Sequence, residues 1–414
     1  CCVCALFHYY IVIVLLLFFL GNTGFTMGSI GPSSTEFCFN VFNELKAQYV
    51  DQNIFFAPLS ILSTLSMVYL GARENTKAQI DKVRLQITSS IFLFVFMPKI
   101  QCGTSVSVHT SLKNMFIQIT KPSDNYSVSF ASRLYAEETF PILPEYLQCV
   151  KELYDETVET VNFQTAADQA RELINSWVES QTNGIIRNIL QPGSVDPQTE
   201  IVLVNAMYFK GVWEKAFKDE DTQTVPFRVT EQESKPVQMM YQIGSFRVAE
   251  LPPERMRILE LPYASGMLSM LVLLPDDVSG LEQLENAITF EKLLEWTNSN
   301  LMEEKTVKVY LPRMKIEERY NLTSVLMALG ITDLFSSFAN LSGISSAKRL
   351  KVSEAVHEAF VEVYEAGTEV TGSGGAGVEA ESASDEFRAD HPFLFLIRHN
   401  PTNGILFFGR YFSP

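Results

Sequence analysis

Glu358-Ala-Phe-Val-Glu-Val-Tyr-Glu-Ala-Gly-Thr-Glu-Val-Thr-Gly-Ser-Gly-Gly-Ala-Gly-Val-Glu-Ala-Glu-Ser-Ala-Ser-Asp-Glu-Phe-Arg-Ala-Asp-His-Pro-Phe-Leu-Phe-Leu-Ile397 decides the fold. Residues 360–364 (Phe-Val-Glu-Val-Tyr) alternate with the period of a two-faced strand. Residues 393–397 (Phe-Leu-Phe-Leu-Ile) are an unbroken apolar run, the pattern of a buried strand. Residues 365–385 between them are small, glycine-rich and acidic, without an aromatic residue or a proline. Such a segment belongs on the surface and is mobile. A structureless loop of about 20 residues inside a compact domain is uncommon and usually functional or disordered. Two strands holding such a loop make a protease-accessible tether, and the rest of the chain is the scaffold that presents it.

Four motifs carry a resemblance. They are Glu365-Ala-Gly367-Thr368-Glu369, continuing to Val370, as a hinge; residues 387–395 (Phe-Arg-Ala-Asp-His-Pro-Phe-Leu-Phe) after the loop; Asn205-Ala-Met-Tyr-Phe-Lys-Gly-Val-Trp213; and Asn53-Ile-Phe-Phe-Ala-Pro-Leu-Ser60. Together they resemble the serpin family. Residues 143–188 and 234–243 are most similar to its secreted, egg-white storage members. The resemblance covers residues 27–414 apart from roughly 83–99. It implies one α+β domain with three β-sheets, eight or nine helices and an exposed reactive-centre loop at about 367–387.

Composition bounds the rest. A chain of 414 residues, 47% hydrophobic, can bury a large core, and its length allows one large domain or two or three smaller ones. A net charge of −16 argues against nucleic-acid binding, which needs a basic footprint. An acidic surface instead keeps a concentrated protein soluble and monomeric. Of six cysteines, three fall within the first four residues, leaving Cys38, Cys102 and Cys149. No C-x-x-C joins those three, so zinc and redox motifs are unsupported. The resemblance implies a disulfide between Cys102 and Cys149, with Cys38 a buried free thiol.

Along the chain, residues 1–26 lack any Lys or Arg and contain the apolar run 11–20, short for a membrane span and without the charged start of a signal peptide. They are expected to be upstream translation or a gene-model artefact, a signal or anchor being the other reading. Residues 35–50 carry helical spacing, and 57–70 read as a nearly all-apolar core helix ended by Gly71. By resemblance, residues 53–71 double as an uncleaved internal secretion signal. Residues 83–99 depart from the family, and their run Ile91-Phe-Leu-Phe-Val-Phe-Met97 would be an aggregation hazard if exposed. Further helices are expected at 112–119, 143–154 and 167–182. The strongest central strand is 201–209, whose continuous apolar pattern implies cover on both faces. Strands recur at 258–261, 268–274, 307–311 and 405–409, the last closing a hairpin around residues 400–404.

Catalytic readings fail on their own chemistry. Gly372-Ser-Gly-Gly-Ala-Gly377 satisfies G-x-G-x-x-G, but acidic residues follow it where a phosphate site needs a helix N-terminus. The five histidines form no H-E-x-x-H, no G-x-S-x-G occurs, and neither a cofactor nor a metal site is expected. His357 reads as a satisfied core histidine. The resemblance puts it in the sheet-opening region with Ser60, Asn205 and Trp213.

The loop's own chemistry concerns insertion. Inhibitory serpins trap a protease because the cleaved loop enters the main sheet as a new strand. Thr368 suits that movement, and the storage members carry a bulky charged residue in its place. The alanine run of the inhibitors is absent from Val370-Thr-Gly-Ser373. Gly372, Gly374, Gly375 and Gly377 each cost about 0.5–1 kcal/mol relative to Ala on becoming strand, roughly 2–4 kcal/mol in all. The expectation is therefore a secreted, non-inhibitory storage protein. The alternative is a serine-protease inhibitor with Glu381-Ser382 as the scissile bond, and a heparin-like polyanion binder is a third. Ser373 aligns with a phosphorylated position, but Gly374-Gly375 replaces the acidic residue a secretory kinase seeks. Among the sequons at Asn125, Asn321 and Asn340, Asn321 matches the family's glycosylated position.

Overall fold

The computed structural model describes residues 31–84, 108–121, 123–298, 300–347, 350–366 and 385–414. Fourteen strands lie among these residues: β1 (Ile54–Phe56), β2 (Tyr126–Glu137), β3 (Val158–Val161), β4 (Ile201–Gly211), β5 (Gln223–Arg228), β6 (Ser234–Leu251), β7 (Met256–Pro262), β8 (Leu268–Pro275), β9 (Glu303–Pro312), β10 (Met314–Asn321), β11 (Val352–Val363), β12 (Asp385–Arg388), β13 (Phe393–His399) and β14 (Gly404–Tyr411). They form two hydrogen-bonded sheets. A five-stranded sheet runs β10-β11-β4-β2-β3, and a nine-stranded one runs β1-β14-β13-β8-β7-β6-β9-β12 with β5 on β6.

The three sheets expected are contained in these two hydrogen-bonded ladders, two of them joined through the long strand β6. Its start pairs with β5, its middle with β9 and its end with β7. One 18-residue strand thereby fuses what the family pattern treats as separate sheets. Residues 400–404 do join an antiparallel pair, β13 and β14, whose side chains are buried almost throughout.

The unbroken apolar run of β4 follows from its place in the five-stranded sheet. Leu203, Met207 and Phe209 enter the large core on one face, while Val202, Val204, Ala206 and Tyr208 enter a second core on the other. Alternate residues therefore serve different cores, and no position is left for a polar side chain except where one is needed. Helix Phe163–Gln181 covers the second face with Phe163, Ala170, Ile174 and Val178. Asn162 begins it, its side-chain oxygen accepting the Thr165 N–H at 2.8 Å.

Helix Pro58–Gly71 covers the first face, nearly every residue buried as its composition requires. Pro58 sits in the first turn, where a missing N–H costs nothing. Gly71 ends it for a packing reason: a Cβ there would lie 2.1 Å from Ile344 Cγ1. The other expected helices occur as Gly31–Gln48, Val108–Ile119 and Pro144–Tyr154. Cys38 is buried and free, burial pushing its thiol well above the usual range. Among the described residues no helix is long and apolar enough to cross a membrane.

Candidate functional site: the seam between β4 and β11

In the five-stranded sheet β10–β11 and β2–β4 are antiparallel and the edge pair β2–β3 is parallel, while β4 and β11 run parallel at its centre, in register from Glu354 opposite Val202 to Glu362 opposite Lys210. A chain leaving the end of β11 and turning back would be antiparallel to both, so this seam is where a further strand could enter. β11 ends at Val363, and residues 364–366 lead straight to the segment 367–384. Two sets of contacts close the seam.

The first lies at mid-sheet and is dry. His357 of β11 faces Asn205 of β4 across the register. The Ala57 N–H donates to His357 Nε2 at 3.0 Å, so Nδ1 carries the ring proton and donates to Asn205 Oδ1 at 2.6 Å. Asn205 Oδ1 also accepts from Ser60 Oγ at 2.7 Å. Its amide donates to the Ser60 carbonyl at 2.9 Å and to Thr64 Oγ1 at 2.8 Å. Thr64 Oγ1 in turn lies 2.6 Å from Ser132 Oγ of β2. All five side chains are buried. Burial lowers the His357 pKa to about 3, which keeps the ring neutral. A proton on Nε2 would face the Ala57 N–H donor to donor. The cluster ties three strands to the helix behind them through hydrogen bonds whose exposure to an apolar interior would be costly.

The second set lies at the upper end, where β11 gives way to the hinge. Trp213 Nε1–H donates to the Tyr364 carbonyl at 2.8 Å. The Trp213 N–H donates to Ala366 O and the Phe217 N–H to Glu365 O. The Trp213 ring stacks on Tyr263 at 4.5 Å with planes 10° apart. Gly211 admits that tyrosine, since a Cβ would lie 2.4 Å from the ring. Glu365, whose side chain is only 6% exposed, accepts from Thr222 Oγ1 at 2.6 Å and from Arg313 at 2.5 and 3.1 Å. Burial opposes a charge on Glu365, but the Arg313 and Thr222 hydrogen bonds outweigh it and hold the carboxyl below its usual range.

The structure thus brings Ser60, Asn205 and His357 into one cluster and puts Trp213 and Glu365 at the seam's upper end. Gly367, Thr368, Glu369, Val370, Ser373, Glu381, Ser382 and Cys102 lie outside the described residues. Cys149 is buried and disulfide-bonded, with a partner that also lies outside them. Asn321 is exposed at the opposite end of β10 from Met314, accepting from the Thr323 N–H to begin helix Leu322–Ala328. Sequence reasoning missed Thr64, Ser132, Thr222 and Arg313. No local pattern marks them, because their partners lie 52 to 143 residues away. Among the described residues no cluster of His, Cys, Asp and Glu is placed to hold a metal.

Known proteins share this architecture. The family profile described as Serpin (serine protease inhibitor) matches residues 32–414. Ovalbumin of Dromaius novaehollandiae is 71% identical over 388 residues, 94% of this chain and 100% of that protein. The crystal structure of uncleaved ovalbumin superposes with a TM-score of 0.86 at 68% identity, covering 94% of this chain and all of its own. A loop-inserted structure of cleaved ovalbumin carrying an arginine-to-threonine mutation superposes with a TM-score of 0.84 at 65% identity and the same coverage. With its central seam, its hinge contacts and a family match running to the last residue, the chain belongs to the serpin family.

Proposed function

We propose that the chain is a secreted, non-inhibitory storage serpin of the ovalbumin type, and not an enzyme. The observation that carries this is the full-length similarity to ovalbumin, over all of that protein's residues. Residues 27–414 form its one domain, and it acts as a monomer. Secretion uses residues 53–71 as an uncleaved internal signal, Asn321 carries a glycan, and Cys149 pairs with Cys102. The exposure of Asn321 and the bonded state of Cys149 support the last two. The closed seam supports a state in which the sheet has no inserted strand, and four loop glycines weigh against insertion.

A second reading, inhibition of a serine protease at Glu381-Ser382, is favoured by one observation. Cleaved ovalbumin was solved loop-inserted when an arginine had been replaced by threonine. Threonine is what this chain carries at position 368, where ovalbumin has the bulky charged residue. Insertion after cleavage is therefore within reach, and the question becomes its rate against ester hydrolysis.

Incubation with a Glu-directed protease and with elastase, followed by denaturing gels and a melt, separates the two. The storage reading expects clean nicking without a complex. A protease complex that survives denaturation overturns it and makes Glu381 functional. A nicked product melting well above the intact protein, without a complex, means insertion that is too slow to trap.

A further inference from the structure

We propose that Asn125 carries an N-linked glycan standing at the upper mouth of the β4–β11 seam, a proposal that rests on the secreted reading above. Asn125-Tyr126-Ser127 is a sequon, so the residue is eligible wherever the chain meets the secretory route. There Asn125 Nδ2 displaces the pyrophosphate from C1 of a lipid-pyrophosphate-linked oligosaccharide. The N–C1 bond forms, the C1–O bond breaks, one amide proton is lost and the lipid pyrophosphate departs.

Folded geometry separates the three sequons by what each carboxamide already does. Asn340 Nδ2 donates to Glu74 Oε2 at 3.0 Å, and its backbone docks on Arg73 and Thr76. Asn321 Nδ2 donates to Glu354 Oε1 at 3.0 Å, and its oxygen caps a helix. No described residue hydrogen-bonds the Asn125 carboxamide, and neither of its polar atoms is among those buried without a partner. Its side chain therefore reaches water, and a sugar there displaces no contact.

The backbone, by contrast, is fixed. The Asn125 N–H donates to Ser123 Oγ at 3.1 Å, and its carbonyl accepts the Val212 N–H at 2.9 Å. That bond joins the start of β2 to the residue just after β4, beside Trp213 and its bonds to Tyr364 and Ala366. Strands lie about 4.8 Å apart, so the seam is roughly one further strand spacing away. An oligosaccharide of two or three rings outreaches that distance. The glycan thus crowds the end of the seam from which the loop departs, and it damps opening there.

The test expresses the full chain in glycosylating eukaryotic cells and removes glycans with an amidase in heavy-oxygen water. Mass mapping then reads which asparagines became labelled aspartates. The expected result is label at Asn125 in the secreted protein. Asn125→Gln and Ser127→Ala each remove one glycan's step in gel mobility without changing label at Asn321. Ser127 is exposed, so the alanine variant keeps the fold even if the glutamine one does not. Secreted protein labelled at Asn321 but not at Asn125 overturns this proposal and leaves secretion standing. A chain that stays inside the cell with no labelled sequon overturns both. Amide exchange at Trp213 and Phe217 is expected to be faster in Ser127→Ala than in the glycosylated protein. Equal rates overturn the damping of the seam.

Discussion

The seam is closed twice, by opposite chemistry. At mid-sheet the partners are neutral, fully buried and saturated with hydrogen bonds, from Ala57 through His357 and Asn205 to Ser132. At the upper end Trp213 and Phe217 hold residues 364–366 across the seam, while an ion pair from the β10 side, Arg313 with Glu365, fixes the hinge, and its cation is 46% exposed. Water cannot compensate a break in the first without flooding a core. In the second, solvent and salt already screen the attraction. A serpin seam that must stay shut in storage but remain openable is best fastened in this graded way: firm at the centre, yielding where the loop departs.

The largest effect is expected from Asn205→Ala. It strands the Ser60 hydroxyl and the His357 Nδ1–H together in a buried site, while Thr64 keeps the Ser60 carbonyl and Ser132. At about 1–3 kcal/mol for each unsatisfied group, with partial relaxation, the loss is about 3–5 kcal/mol. Chemical denaturation measures it. A loss below that of an ordinary surface substitution would mean that the centre of the seam is not the firm end.

Acid tests the same centre. His357 titrates near 3 when folded and near 6.5 when unfolded, so the unfolded chain binds more protons between those values. Its stabilising contribution is complete above about pH 6.5 and falls by about 1.4 kcal/mol per unit as pH drops towards 3. Glu318 and Glu358 work the other way. Burial raises both to about 7, with Glu317 adding repulsion. They bind more protons folded than unfolded, so their contribution is largest below about pH 4.5 and is lost as pH rises through 7. Between pH 4.5 and 6.5 two carboxylates, Glu318 on β10 and Glu358 on β11, oppose the single histidine, so wild-type stability should fall as pH rises, with about the slope of one proton. His357→Gln should steepen that fall, leaving both carboxylates unopposed; Glu358→Gln should flatten the profile, because Glu318 and His357 then cancel. Parallel profiles for both variants would refute the assignment.

Much of this was legible in the sequence. Apolar runs located β4, β13 and helix Pro58–Gly71, because burial on both sides leaves no alternative to continuous hydrophobicity. His357 could be read as a core residue from its strand setting alone. Its partners could not, since Ser60, Thr64 and Ser132 are small hydroxyl residues of a kind any helix or strand carries. Arg313 looked like one more surface cation in Leu-Pro-Arg-Met-Lys. Its meaning depends on β9 and β10 bringing it beside the end of β11, and that is a fact of topology. The joining of sheets through β6 is topological in the same way: strand pattern gives strands, whereas fusion depends on which edges they share.

At the upper end, Arg313→Met should cost less, about 1 kcal/mol, after discounting for an exposed guanidinium. Glu365 then keeps Thr222 and its own backbone N–H, so its carboxyl rises towards the ordinary range. The hinge's contribution, present in the wild type above about pH 4.5 and lost as pH falls, should shrink accordingly. High salt should narrow the difference between wild type and variant at pH 7. A gap that is independent of salt would show that the pair acts by packing, and the contrast with mid-sheet would weaken.

The smallest effect, and the sharpest in location, belongs to Trp213→Phe. The phenyl ring keeps an aromatic face on Tyr263 but cannot donate to the Tyr364 carbonyl, a loss of about 0.5–1.5 kcal/mol. Global stability should hardly register it. Local opening should, because the amides at positions 213 and 217 hold Ala366 and Glu365 by single hydrogen bonds at the same place. Hydrogen exchange at those two amides is expected to quicken, while the amides of residues 204–207 at mid-sheet keep wild-type rates. If all six quicken together, the seam opens as one unit from end to end, and its two fastenings are a single cooperative lock.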